Sequence, residues 1–161
     1  MRKHKIYLDT SVVNFLFADD APEKMDITKE YFDNFIKLNV YNHFISEIVI
    51  NEIERTQDND HRNRLLKVIK DYNIETIIVE PEEEIISLAN QYLDDNIIPQ
   101  KKIEDALHVA VATFNEIDFL LSWNYKHLAN VNKEKQFEIV NLKNGYLKSP
   151  RLCTPMELFN E

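Results

Sequence analysis

Lys5-Ile6-Tyr7-Leu8-Asp9-Thr10-Ser11 is the stretch on which the reading of this chain turns. Ile6, Tyr7 and Leu8 form a short β-branched and aromatic run, which reads as a strand buried in a sheet. The run ends on a charge. An ionised side chain at the tip of a central strand is costly to desolvate unless a cation or donors meet it. Thr10-Ser11 then opens a helix through Val12, Val13, Phe15 and Leu16. Strand, acid, helix is the layout by which open α/β sheets present ligand sites at the carboxyl ends of their strands. Asp9 also reads as a plain N-cap for that helix, and on this stretch alone the two readings stand level.

The rest of the chain repeats the alternation. Glu23 to Leu38 carries Ile27, Tyr31, Phe35 and Leu38 at helical spacing, which predicts an amphipathic helix with those residues inward. Tyr41 to Ile45 reads as a second strand, with Ser46 capping a helix that runs to about Thr56. Asp58 to Tyr72 is a charged helix with Leu65, Leu66, Val68 and Ile69 inward. Ile74 to Val79 is a third strand, followed by Pro81 in the first turn of a helix from Glu82 to about Asp95. Its Glu82-Glu83-Glu84 run suits a helix amino terminus and is read as capping and solvation. Asn96 to Gln100 is a loop, and Ile103 to Asn115 is apolar almost all round, as a buried central helix should be. Asp118 to Ser122 is a fourth strand. Lys126 to Asn144 has helical spacing with Gly145 as a left-handed stop, although Phe137 to Val140 also reads as a strand. Thr154-Pro155-Met156-Glu157 predicts a short capped final helix. The expected fold is therefore α/β, a central parallel sheet of four to five strands flanked by helices on both faces, in a single domain over residues 1–161.

Composition bounds the function. The 161 residues are 44% hydrophobic and 29% charged, which is a soluble, globular balance. The formal net charge of −9 argues against a broad, nonspecific nucleic-acid binder, but not against a local basic groove beside an acidic centre. With one glycine in the chain, glycine-rich phosphate loops are excluded. The single cysteine, Cys153, reads as packing material and fits a reducing cytoplasm. The apolar run behind the basic Met1–Lys5 segment stops after three residues, too short for a signal-peptide core, and no window reaches the ~20 apolar residues of a membrane helix.

Two further acids break the amphipathic pattern. In the helix from Ser46, Glu47, Asn51, Glu54 and Arg55 gather opposite Ile48, Val49, Ile50 and Ile53, whereas Glu52 projects from the edge of the buried face. In the central helix Glu104, His108 and Asn115 share a polar stripe, while Asp105 falls off it beside Val109 and Ala112, with no Lys or Arg at a helical neighbour position. If Asp9, Glu52 and Asp105 converge, like charges ~4 Å apart repel by about 4 kcal/mol at an effective dielectric near 20. Protonation of one acid or a divalent cation would relieve that. Oxygen ligands without a His or Cys pair at metal spacing favour Mg²⁺ or Mn²⁺ over Zn²⁺.

The segments Tyr-Leu-Asp9-Thr-Ser, Ile-Ser46-Glu-Ile-Val-Ile-Asn-Glu52-Ile, Ile-Glu-Asp105-Ala-Leu-His-Val-Ala and Asp118-Phe-Leu-Leu-Ser122-Trp-Asn124 together resemble the PIN-domain ribonucleases, and within them the VapC-like toxins of toxin–antitoxin pairs. The resemblance covers nearly the whole chain. It implies a metal-dependent endoribonuclease that hydrolyses RNA phosphodiesters with metal-activated water and binds Mg²⁺ or Mn²⁺. Asp9 and Asp105 would be primary ligands, and Glu52 a ligand through water or to a second ion. Ser11 would hydrogen-bond the metal shell or a phosphate. The implied partners are RNA, an antitoxin protein and a second copy of the chain. Many members of the family carry an Asp where this chain has Asn124; an amide can still coordinate or place water, but it removes one charge.

Other residues have ordinary readings. His108 is expected as a surface or hydrogen-bonded helix residue rather than a ligand. Trp123 is expected to pack rather than stack on a base. Lys101, Lys102 and Lys126 are solvated lysines that could also meet phosphates, with Lys126 the candidate substrate contact. The competing functions are a non-catalytic PIN-like module that binds RNA or protein, and an aspartyl-phosphate phosphatase with Asp9 as nucleophile. The latter usually has a second acid two residues on, where this chain has Ser11.

Overall fold

A computed structural model describes residues 2–159; Met1, Asn160 and Glu161 lie outside the described residues. Strand β1 (Lys5–Leu8) lies at the centre of a five-stranded parallel sheet with β2 (Asn42–Ser46), β3 (Glu75–Ile77), β4 (Phe119–Leu121) and β5 (Arg151–Cys153), in the order β3-β2-β1-β4-β5. Ile6, Tyr7 and Leu8 are fully buried, as a strand covered on both faces requires. From β1 the chain builds outward through β2 and β3, then returns to place β4 on the other side. The strand order therefore reverses between β1 and β4, the point where open α/β sheets form ligand crevices. Asp9 emerges there, its N–H donating to the Leu121 carbonyl at 3.1 Å.

Among the described residues eight α-helices flank the sheet: α1 (Thr10–Asn14), α2 (Pro22–Tyr31), α3 (Glu47–Glu54), α4 (Asn59–Asp71), α5 (Glu82–Asp94), α6 (Ile103–Phe114), α7 (Val131–Lys143) and α8 (Pro155–Phe159). Helix α6 packs chiefly on α5, and Ala106, Val109, Ala110, Val111 and Ala112 are all fully buried. Val49 and Ile53 anchor α3 in the same way, which fixes the height of Glu52 between them. Each such Val or Ile contributes roughly 1.5–3 kcal/mol through burial, so the site rides on rigid elements. Among the described residues no helix is long and apolar enough to cross a membrane.

The structure departs from the sequence reading in local ways. Helix α2 runs into a π-helical turn at Phe32–Ile36, whose wider i→i+5 spacing brings Ile36 onto the buried side of Tyr31. Leu38 lies in the turn beyond it and is 66% exposed, not inward as its spacing predicts. The third strand shrinks to three residues because β3 is an edge that pairs only with β2. Pro81 stands at the N-cap of α5, one residue before its expected place. Phe137 to Val140 is helical, within α7, and Asn130 caps that helix by accepting the Lys133 N–H at 2.8 Å. Gly145 does take the left-handed conformation, with φ of 86°. Strand β5 is too short to show alternation, and only its register beside β4 reveals it.

Candidate metal centre

Asp9 takes the N-cap role that its position allows. As the N-cap of α1 its Oδ1 accepts the Val12 N–H at 3.3 Å and the Ser11 hydroxyl at 2.5 Å. It is also only 3% exposed at the carboxyl end of the central strand. Burial raises its pKa above the ordinary carboxylate value, against the pull of His108 and of donors from Ser11, Ser122 and Val12. Ser11 is tied in turn to the loop after β4, its Oγ accepting the Trp123 N–H at 2.9 Å. Ser122 Oγ accepts the Asn124 N–H at 2.9 Å. One end of β1 and one end of β4 are thus laced together around the Asp9 carboxylate.

Glu52 arrives from α3 and Asp105 from α6. Glu52 Oε1 accepts from Thr10 Oγ1 at 2.9 Å and from His108 Nε2 at 2.7 Å. Burial would raise its pKa, but the hydrogen bond and charge of His108, the Thr10 hydroxyl and Arg55 outweigh it and hold the carboxyl below the ordinary value. Asp105 Oδ2 accepts from Asn124 Nδ2 at 3.3 Å. Burial pushes Asp105 up to about 6, with Asp9 and Glu52 adding to the rise and His108 and Lys102 opposing it. The acids therefore act on one another, and none is matched to a Lys or Arg in an ion pair among the described residues. Glu104, on the polar stripe, is the residue that takes Arg55, at 2.8 Å.

Of the two readings expected for His108, the structure gives the hydrogen-bonded helix residue and not the surface one. It is 1% exposed, with Nε2 on Glu52 and Nδ1 on the Tyr7 phenol at 2.6 Å. Burial disfavours its charge, yet the hydrogen bond and charge of Glu52, with Asp9 and Asp105 behind it, raise its pKa overall. The sequence did hold a signal for it. An i,i+3 step along a helix puts His108 on the side of Asp105, toward the acids rather than away from them. Tyr7, Thr10 and Ser122 carry no such signal, because a hydroxyl whose partner lies far away in the chain declares nothing locally.

The donor set of Asp9, Glu52 and Asp105 is all carboxylate oxygen, the chemistry of a hard divalent cation. Among the described residues no three His, Cys, Asp or Glu side chains stand together as a ready cage. Asn124 uses both ends of its amide, Nδ2 on Asp105 and Oδ1 accepting the His127 N–H at 3.0 Å. An acid there would lose that donor and add a charge.

Basic groups collect on the flank of Asp105. Lys126 is exposed and lines a cavity of about 260 Å³ with Ile97, Pro99, Gln100, His127 and Lys133. His127 has its pKa lowered by burial and then by Lys126, Lys133, Lys102 and Lys101, so four lysines share this corner of an acidic protein. Two larger cavities, about 340 and 410 Å³, open at the amino end of β2 and beside the end of α6, and none of the three acids lines them. Trp123 is 5% exposed and donates from Nε1 to Thr28 Oγ1 at 2.9 Å, a packed aromatic as expected.

No family model matches the chain, and no curated protein matches it. Among solved structures, a chain from the crystal structure of VapBC2 from Rickettsia felis, bound to a DNA fragment from their promoter, superposes with a TM-score of 0.59 at 12% identity. The match covers 92% of this chain and 98% of that one. At that identity the likeness establishes architecture only: this chain has the PIN-like α/β sandwich fold, a five-stranded parallel sheet flanked by helices.

Proposed function

We propose that this protein is a metal-dependent endoribonuclease, hydrolysing RNA phosphodiester bonds, and the toxin of a toxin–antitoxin pair. The observation that carries the reading is the delivery of Asp9, Glu52 and Asp105 by the end of β1, α3 and α6 to one electrostatic neighbourhood, in which a buried histidine is hydrogen-bonded to Glu52 and, among the described residues, no Lys or Arg is ion-paired with any of the three. Burying like charges without cationic partners costs stability, and such arrangements concentrate at functional sites. Asp9 and Asp105 would hold Mg²⁺ or Mn²⁺, with Glu52 acting through water or on a second ion. The ion would supply a water activated for attack on phosphorus and charge stabilisation on the phosphate oxygens.

The chain's own residues do the rest. Ser11 fixes Asp9 through its 2.5 Å hydrogen bond and ties it to the backbone after β4. Asn124 orients Asp105. Lys126, with Lys101, Lys102 and Lys133, offers the positive flank along which an RNA backbone can lie. The VapBC2 likeness supports an antitoxin partner, and a homodimer belongs to the same proposal.

The test is cleavage of RNA with Mn²⁺, beside EDTA and the variants Asp9→Asn and Asp105→Asn. Cleavage that needs the metal and is lost in both variants is the expected result; undiminished cleavage in either variant or in EDTA refutes it. One observation favours a second reading, a PIN-like module that binds RNA or protein without cutting: Asn124 replaces a charge with a donor held by Asp105. Cation binding without turnover would select that reading.

A further inference from the structure

A line of hydroxyl and imidazole groups runs from the sheet into the acid cluster. Ser46 caps α3, its Oγ accepting the Ile48 N–H at 3.1 Å, and lies 2.7 Å from the Tyr7 phenol. The phenol lies 2.6 Å from His108 Nδ1, and His108 Nε2 lies 2.7 Å from Glu52 Oε1. Ser46, Tyr7 and His108 are 0%, 0% and 1% exposed, so their polar atoms must satisfy one another. Glu52, as a carboxylate, can only accept, so Nε2 carries a proton. If Nδ1 donated to the phenol, the phenol would donate to Ser46 and leave the serine proton without one of these acceptors. The direction that uses every proton is Ser46 to Tyr7, Tyr7 to His108 and His108 to Glu52. It also fixes the imidazole tautomer.

Thr10 and His108 both land on the same Glu52 oxygen. One carboxylate oxygen is committed to the protein, and Oε2 is the atom left for a cation or its water. We propose that Tyr7 and His108 are positioning residues for Glu52, a buried relay that presets its carboxylate for cation binding. The proposal rests on the metal-site reading above. A core role alone would also bury these groups, but it would give no reason for the line to end on the one acid that takes no helix-capping or Asn124 contact.

The experiment is Mn²⁺ titration of the full-length protein followed by electron paramagnetic resonance of the free ion, with melting temperatures recorded in EDTA to check folding. Hydrogen-bonding partners of metal ligands typically matter by 10–100-fold in affinity, so His108→Ala should weaken Mn²⁺ binding by about that much. His108→Gln, whose amide can donate near the Nε2 position, should restore most of it. Tyr7→Phe keeps the packing and removes both phenol hydrogen bonds, of which the one to His108 bears on Glu52; about 1 kcal/mol for that one corresponds to a roughly fivefold loss. In a Glu52→Gln background Tyr7→Phe should cost nothing further, a coupling that a merely structural role would not produce. Wild-type protein that binds Mn²⁺ with unchanged affinity in folded His108→Ala and Tyr7→Phe variants overturns the relay alone. An equal Tyr7→Phe loss with and without Glu52→Gln does the same. Wild-type protein that binds no Mn²⁺ overturns the metal-site reading and the relay with it.

Discussion

Replacing Asp105 by Asn should make the metal-free protein more stable while abolishing its response to Mn²⁺. Burial, with Asp9 and Glu52 nearby, pushes this carboxyl from 3.8 up to about 6. A shift of about 2 units at 1.36 kcal/mol each is roughly 3 kcal/mol, and partial exposure of the side chain reduces it to about 1.5–3 kcal/mol. Because the folded-state pKa is raised, the fold binds this proton more tightly than the unfolded chain does. The penalty is absent below pH 3.8, grows as pH rises toward 6, and is complete above that. An amide at position 105 has no charge to bury and can still accept from Asn124. In EDTA at pH 7.5 the variant should melt about 3–12 °C higher, using 2–4 °C per kcal/mol for a domain of this size. At pH 4.5 most of that gain should vanish. Mn²⁺ at 100 times its Kd should add about 2.7 kcal/mol to the wild type and nothing to the variant. Calorimetry in EDTA showing Asp105→Asn no more stable at pH 7.5, or a gain that survives acidification undiminished, refutes the account of a strained carboxylate.

Two other outcomes follow from the same electrostatics. Asn124→Asp removes the donor to Asp105 and sets a fourth carboxylate beside it; like charges ~4 Å apart cost up to about 4 kcal/mol. Its melting temperature in EDTA should fall, and its Mn²⁺ affinity should rise. A variant equally stable in EDTA would show that the amide is not restraining Asp105. Far from the site, His43 is buried against Tyr31, with Nε2 2.8 Å from the phenol, and burial lowers its pKa to about 4. Here the unfolded chain binds the proton more tightly, so stability is lost as pH falls from about 6.5 to 4, by roughly 3 kcal/mol. Urea unfolding at pH 7 and 4.5 should show His43→Asn, which removes the titrating group, losing about that much less than the wild type on acidification; equal losses in the two would count against it.

What the sequence made legible, and what it did not, divides along the range of the interactions. Helices α3 and α6 could be read because hydrophobic periodicity is local, and Glu52 and Asp105 stood out because each leaves the polar face that a solvated acid should occupy. Leu38 could not be placed, because the helix ends in a π turn at Ile36 and Leu38 lies in the turn beyond it, a boundary that apolar spacing does not mark. His108 shared a stripe with Glu104 and Asn115, yet only Glu104 finds an exposed arginine partner there. The imidazole is buried because its partners, Tyr7 and Glu52, come from two other elements, and no window of sequence holds all three. Those long-range contacts also set the charge of the site. Three carboxylates face one imidazole, with Lys102 acting on Asp105 from an exposed position. Even with His108 protonated the interior of the cluster is short by two positive charges, and Asp9 and Glu52 add to the rise that burial imposes on the Asp105 carboxyl. A single divalent cation would supply that charge, which is why the feature most costly to this fold is also its strongest argument for a metal-dependent activity.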